Sequence, residues 1–408
     1  MAGRKRKALT QEDVCLVTLA ASARLPVAPI LAHARPGVRT LGVASKRKLA
    51  RRLKYAEFNA STVYGQVAET LTIGHGNQTL DISHCNPAAF LRKASEVSAQ
   101  FGVFLQRCLG GNPGHIVLYL DEVTPGNVHR PDHGRKYQAV YWTIKEFPGW
   151  FRRRANIGWF PFAYITAQSL EDSSISPSEL VKWVLKTFWP ADIRQLNLEQ
   201  VGMRLLVDSV PVHTIFVFGF LLADCKAHAE TVCNNGASSK KPCPCCMNVL
   251  GRTDRASLVG DAYFMHVTDP DMGKAVQFTK DTFNAMADVL RTAATDGTEK
   301  HRFDAFQMQT GLKYDEHGLI WDPHFREIAS CPDSLFWDPQ HIFLASGGTA
   351  QFQCNEFIRK LLKHNITLAD LDSFVATVHF PRGHTKRPRI FFETVSKRAG
   401  QTPEGFRW

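Results

Sequence analysis

The sequence predicts an α/β protein preceded by a basic helical region. The first sign is the run Ile116–Leu120, which passes straight into Asp121 and Glu122 and then a Pro125-Gly126 turn. A short continuous apolar run bounded by turn residues reads as a strand buried on both faces. The second sign is order: two more strand-like segments follow, then a well-signalled helix, then two further strand-like segments. The third is charge. Residues 1–54 hold thirteen Lys and Arg against two acids, which accounts for the whole formal net charge of +11.

Residues 1–58 form a basic arm. Arg4, Lys5, Arg6 and Lys7 open it, and Thr10–Asp13 reads as a capping box that starts a helix. The apolar stretch Val14–Ala23 has the look of a secretory signal, but Glu12 and Asp13 directly before it fit that poorly. A second cluster, Lys46, Arg47, Lys48, Arg51, Arg52 and Lys54, surrounds Leu49 and Leu53 at helical spacing. Such a helix suits phosphate contacts. A basic arm on a neutral body points to a polyanion, most simply DNA, and to a nuclear address. A solubilising tail is the bland alternative.

The composition, 44% hydrophobic and 11% aromatic, is that of a globular chain. The longest apolar run, Ile215–Ala223, has nine residues, against about 20 for a membrane crossing. No membrane partner is expected. Ten cysteines are too few for a disulfide scaffold, and four of them fall between 233 and 246, which argues for metal binding or chance over structural bridges.

Residues 59–110 read as mainly helical, with Ala88, Phe90, Leu91, Val97, Phe101, Phe104 and Leu105 spaced along Pro87–Leu109. Residues 111–224 carry the strands: Ile116–Leu120, Tyr137–Ile144 and Trp159–Thr166, where Pro161 hints at an edge or a bulge. Ser176, Pro177 and Glu179 announce a helix with Leu180, Val181, Val184, Leu185 and Phe188 on its apolar face. Met203–Val207 and Thr214–Ala223 read as strands, and the second ends at Asp224. Residues 225–335 look like an insertion, with one clear helix over Asp281–Ala294. Residues 336–408 form a C-terminal helical part.

Three motifs carry chemistry. Asp121 and Asp224 each close a strand. Cys225-x-x-His228 and Cys243-x-x-Cys246, fourteen residues apart, have zinc-knuckle spacing, with Cys233 and Cys245 as spare thiols. Asp338 and His341 are three apart, so they share a helical turn; they could orient each other, bind a metal or contact a phosphate. Trp321-Asp322-Pro323-His324 is a nearby echo of that string and a warning that it recurs by chance.

The strand order and its two acids resemble the ribonuclease-H-like core, a mixed sheet, of DDE transposases and integrases. With the later motifs, the segment from about 111 to 350 resembles the Kyakuja-Dileera-Zisupton (KDZ) and CACTA (En/Spm) transposases. The resemblance implies binding of transposon ends with metal-dependent strand cleavage and transfer. Phosphodiester cleavage needs an activated nucleophile and a stabilised leaving oxygen, which two divalent ions about 3.5–4 Å apart supply. Asp121 and Asp224 would hold Mg²⁺ or Mn²⁺, hard ions that take oxygen ligands. Asp121 is preferred to Glu122 because it comes first after the apolar run.

The resemblance further implies a third acid, best matched by Glu356 on a helix with Phe352, Phe357, Ile358, Leu361 and Leu362. Glu393 is its rival. Asp338 and His341 would support the site, and Cys225, His228, Cys243 and Cys246 would hold a structural Zn²⁺. In these families the glutamate often follows the histidine at a longer interval. A truncated, inactive copy that only binds nucleic acid is therefore the alternative. Arg152–Arg154 and the basic stretch 379–389 could line a DNA path or be solvated surface. The group Trp142, Trp150, Trp159 and Phe160 is expected to be core rather than a base-stacking platform. A homo-oligomer is compatible with the sequence and not required by it.

Overall fold

A computed structural model describes residues 60–377, apart from 76–77, 124–135, 193, 237–238, 252–256, 260–261, 268, 270 and 344–348. The basic arm with Arg4, Lys5, Arg6, Lys7, Lys46, Arg47, Lys48, Arg51, Arg52 and Lys54, and the rival acid Glu393, lie outside the described residues. So does the basic stretch 379–389. The chain divides into two compact units, one ending at Phe336 and the other starting at Trp337.

Residues 60–85, expected to be helical, are strands instead. Two short ones, β1 (Ser61–Thr62) and β2 (Gly65–Gln66), precede a long hairpin of β3 (Ala68–His75) and β4 (Gln78–Cys85). The physical signal was the period-2 pattern of Leu71 with Ile73 and of Leu80 with Ile82, which suits a pleated surface. The stretch Pro87–Leu109 is helical as expected, in two helices: α1 (Pro87–Val97) and α2 (Ala99–Leu109). Ser98 closes the first and caps the second, its hydroxyl accepting from Phe101 N–H at 3.2 Å.

The core sheet follows the expected order. β5 (Gly114–Val123) and β6 (Tyr137–Ile144) are followed by two single-turn helices, α3 (Gly149–Arg152) and α4 (Ala155–Gly158), and then β7 (Phe160–Thr166). Next come α5 (Ala167–Asp172) and α6 (Pro177–Phe188). Ser176 caps α6 as expected, accepting from Glu179 N–H at 3.1 Å. β8 (Met203–Val207) and β9 (Val210–Thr214) form a separate hairpin. β10 (Phe216–Ala223) then returns to the sheet and leads into α7 (Cys225–Thr231).

The insertion carries a three-stranded sheet of β11 (Val249–Leu250), β12 (Ser257–Val259) and β13 (Ala262–His266). It continues with α8 (Lys280–Thr295), α9 (Lys300–Thr310) and α10 (Pro323–Ile328). β14 (Leu335–Trp337) ends it. The second unit contains α11 (Pro339–Phe343), α12 (Thr349–Lys363) and α13 (Leu368–Thr377). No helix among the described residues is long and apolar enough to cross a membrane.

The seven-stranded mixed sheet runs β14-β10-β5-β6-β7-β4-β3. β5, β6, β7 and β4 are antiparallel in turn, and β10 lies parallel beside β5. The Pro161 signal resolves as a bulge: the β6–β7 register shifts between Val140 and Tyr141, the residue opposite Pro161. β7 is interior, so the edge alternative does not hold. One face of the sheet is covered by α6. Phe188 packs on Trp142 and Phe162 with ring centroids 5.7 and 6.0 Å away. Trp189, just past the helix, donates its indole N–H to the Phe216 carbonyl at 2.9 Å. Trp142, Phe188 and Trp189 are fully buried, so this aromatic layer is the core that fixes β5 against its neighbours.

Candidate functional site

Alternation along β5 puts Leu118 and Leu120 on the buried face and Tyr119 and Asp121 on the other. β10 would place its own acid one step out of line but for a bulge. Phe218 pairs with Ile116, whereas Phe220 pairs with Val117, so Gly219 is the extra residue. A Cβ on Gly219 would meet the Ile116 carbonyl oxygen at 3.1 Å, so glycine permits the close approach there. The register after the bulge pairs Leu222 with Tyr119. Continued two residues past that last pair, the register would bring Asp224 level with Asp121, although β10 ends at Ala223. Without the bulge it would face Glu122. Adjacent strands are about 4.8 Å apart, so the two carboxylates can reach ions spaced about 3.5–4 Å.

Asp224 has a second duty. It is the N-cap of α7, its Oδ1 accepting from Ala227 N–H at 2.6 Å. Glu122, the rejected rival, is taken up by lysines: Lys136 Nζ lies 2.6 Å from Oε1 and Lys226 Nζ 3.9 Å from Oε2. Lys226 also reaches Glu230 at 3.6 Å. Burial raises the Glu230 carboxyl, Lys226 opposes the rise, and Asp224 and Glu122 add to it. Glu230 and the two lysines are members of this cluster that sequence reasoning missed. The i, i+4 spacing of Lys226 and Glu230 on the helix that Asp224 opens was the available signal.

The Cys/His motif is split. On α7, Cys225 is exposed and His228 is buried, with Nε2 2.8 Å from the Phe336 carbonyl oxygen. Burial lowers the His228 pKa, while that carbonyl and Asp224 act to raise it. Further on, the neighbouring Cys245 and Cys246 hold the Cys243 thiol well below its ordinary pKa, while those two thiols are raised in return. A lowered thiol pKa favours thiolate, the form that binds metal. Even so, among the described residues no three His, Cys, Asp or Glu side chains are arranged to hold one ion. Cys225, His228, Cys243 and Cys246 therefore do not form a gathered quartet. The spare thiol Cys245 joins the cluster, while Cys233 is buried and pushed up to about 11 by burial.

In the second unit, Asp338 and His341 do orient each other: His341 Nδ1 lies 2.7 Å from Asp338 Oδ2, and Asp338 is buried. Glu356 on α12 is half-exposed and ion-paired with Arg359 at 2.5 Å. The echo at 321–324 is structural. Asp322 caps α10 by accepting from His324 N–H and Phe325 N–H, and His324 Nε2 lies 3.1 Å from the Trp189 carbonyl oxygen.

No family model matches this chain, and neither a curated protein nor a solved structure does.

Proposed function

We propose that this chain is a transposase-like protein with a ribonuclease-H-like core, binding DNA in the nucleus and cleaving and transferring strands with divalent metal ions. The observation that carries this reading is the parallel pairing of β5 and β10, whose register after the Gly219 bulge, if continued past Leu222, would bring Asp224 level with Asp121. The succession of three antiparallel strands, a helix and a strand parallel to the first supports the fold assignment. It is the order that the KDZ and CACTA resemblance implies, with the acids at the matching strand ends.

The donor set suits Mg²⁺ or Mn²⁺: two carboxylates at adjacent strand ends offer only oxygen. Bound there, the ions would activate the attacking hydroxyl and stabilise the leaving oxygen. Asp121 and Asp224 would hold them, and α7 would fix Asp224 through its cap. Lys136 and Lys226 would keep Glu122 out of the ligand set. The resemblance would give the third-acid role to Glu356 and a supporting role to Asp338 and His341, all three in the second unit. A structural Zn²⁺ would draw on Cys243 and Cys246, with Cys225 and His228 as the matching pair only if the ion itself gathered the four, which stand apart here.

A second reading, a transposase-derived DNA-binding protein that has lost its chemistry, is favoured by the Glu356–Arg359 ion pair, which ties up the best-matched third acid. Nicking of supercoiled plasmid separates the two. Mg²⁺-dependent nicking by the full chain that disappears in Asp121→Asn supports the catalytic reading. Absence of activity, or equal activity in both proteins, leaves the binding protein.

A further inference from the structure

The link between β6 and β7 builds an aromatic and basic surface that the proposed catalytic site does not use. Trp150 is 57% exposed, although its ring is supported from below by Phe104 and Phe151, with centroids 6.0 and 5.6 Å away. Those two rings pack in turn on buried Phe147, so the indole stands on a rigid base. Arg152, Arg153 and Arg154 follow it, all exposed. Arg152 donates its Nε–H to the Phe147 carbonyl at 2.8 Å and Arg153 its Nε–H to the Gly149 carbonyl at 3.1 Å. Each is thereby anchored at Nε, while its terminal Nη groups meet no acceptor among the described residues. None of the three arginines has an acidic partner among those residues, and Arg107 adds an exposed cation one helical turn from Phe104. The nearest acid in sequence, Glu146, is held by His115 at 2.7 Å.

An isolated run of arginines is ordinarily solvated surface. Here the run is anchored, unneutralised and set beside a supported, exposed indole. Guanidinium groups fixed at one end are pre-organised for phosphate oxygens, and a rigid exposed indole is a stacking surface for an unpaired base. We infer that the Trp150–Arg154 surface binds single-stranded nucleic acid, its arginines on the phosphates and Trp150 under a base. Ile144 pairs with Ile116 near the start of β5, and Asp121 lies five residues further along that strand, about 17 Å away at the usual rise. The surface therefore grips strand outside the carboxylate pair. The inference rests on the nucleic-acid reading above but not on catalysis.

The test is binding of a fluorescein-labelled thirty-nucleotide oligo-dT to the full chain, measured by anisotropy across a salt series. Trp150→Ala is expected to weaken binding about tenfold, within the range of one lost stacking contact, and Trp150→Phe to restore most of it. The triple change of Arg152, Arg153 and Arg154 to Gln is expected to reduce the slope of log affinity against log salt by about 2. Unchanged affinity in Trp150→Ala and unchanged slope in the triple variant, with wild-type melting temperatures, overturns this inference alone. A wild-type chain that binds neither oligo-dT nor duplex overturns it together with the DNA-binding function.

Discussion

Asp224 is asked to do two things, and two substitutions separate them. As N-cap it satisfies the Ala227 N–H; as candidate ligand it offers a carboxylate beside Asp121. Asn is as good an N-cap as Asp, whereas Ala loses the cap at a cost of about 1 kcal/mol. Both lose the charge at the helix N-terminus, worth about 0.3–1 kcal/mol. Asp224→Ala should therefore lie about 1 kcal/mol below Asp224→Asn in stability, which is about 1.5 °C in melting temperature for a unit of this size. In nicking the order should collapse, because neither side chain supplies a carboxylate, and both variants should be inactive. Thermal melts and plasmid nicking on the same preparations decide it. Asp224→Asn melting as low as Asp224→Ala would refute the cap, and nicking by Asp224→Asn at the wild-type rate would refute the ligand role.

Other outcomes follow from the same geometry. Phe188→Ala should cost about 3–5 kcal/mol, because Phe188 is fully buried among Trp142, Phe162 and Trp189; a urea-midpoint change equivalent to less than about 1 kcal/mol would contradict the packing. His84 is 6% exposed, and burial holds its imidazole below the ordinary pKa against the raising influence of Glu69. The unfolded chain therefore takes up a proton first as pH falls below about 6.5. Stability from His84 is fully present above that value and is lost as pH drops, and His84→Phe should flatten the melting temperature between pH 7.5 and 5.5. The full chain should also carry about one Zn²⁺ by elemental analysis, reduced in Cys243→Ser; protein purified without zinc that melts identically with and without chelator would remove the structural metal.

The parts legible in the sequence were those written in local chemistry. Ser176, Pro177 and Glu179 announced α6, and the run into Asp121 announced β5, because capping and continuous apolarity act within a few residues. Pro161 hinted at an edge or a bulge, and only the bulge holds because its strand is interior. The β3–β4 hairpin was not read, because its alternation is short and Thr-rich and lies next to a strong helical pattern. Register was out of reach altogether. Nothing local to Gly219 says that one extra residue there shifts the register so that Leu222 pairs with Tyr119, since that depends on a strand a hundred residues earlier. The Trp142, Trp150, Trp159 and Phe160 group looked uniform in sequence, yet Trp142 and Phe160 are buried and Trp150 is exposed. The Cys243 cluster was visible as spacing, but the pull of Cys245 and Cys246 on its thiol depends on how the Pro-rich turn is folded.

The claim at the centre is that Asp121 and Asp224 form one divalent-cation site across β5 and β10. Mn²⁺ titration of the full chain, followed by electron paramagnetic resonance of the free ion, tests it most directly. The account predicts saturable Mn²⁺ binding that Mg²⁺ competes away and that Asp121→Asn and Asp224→Asn each weaken at least tenfold while both remain folded. Binding of equal strength in all three proteins would contradict it.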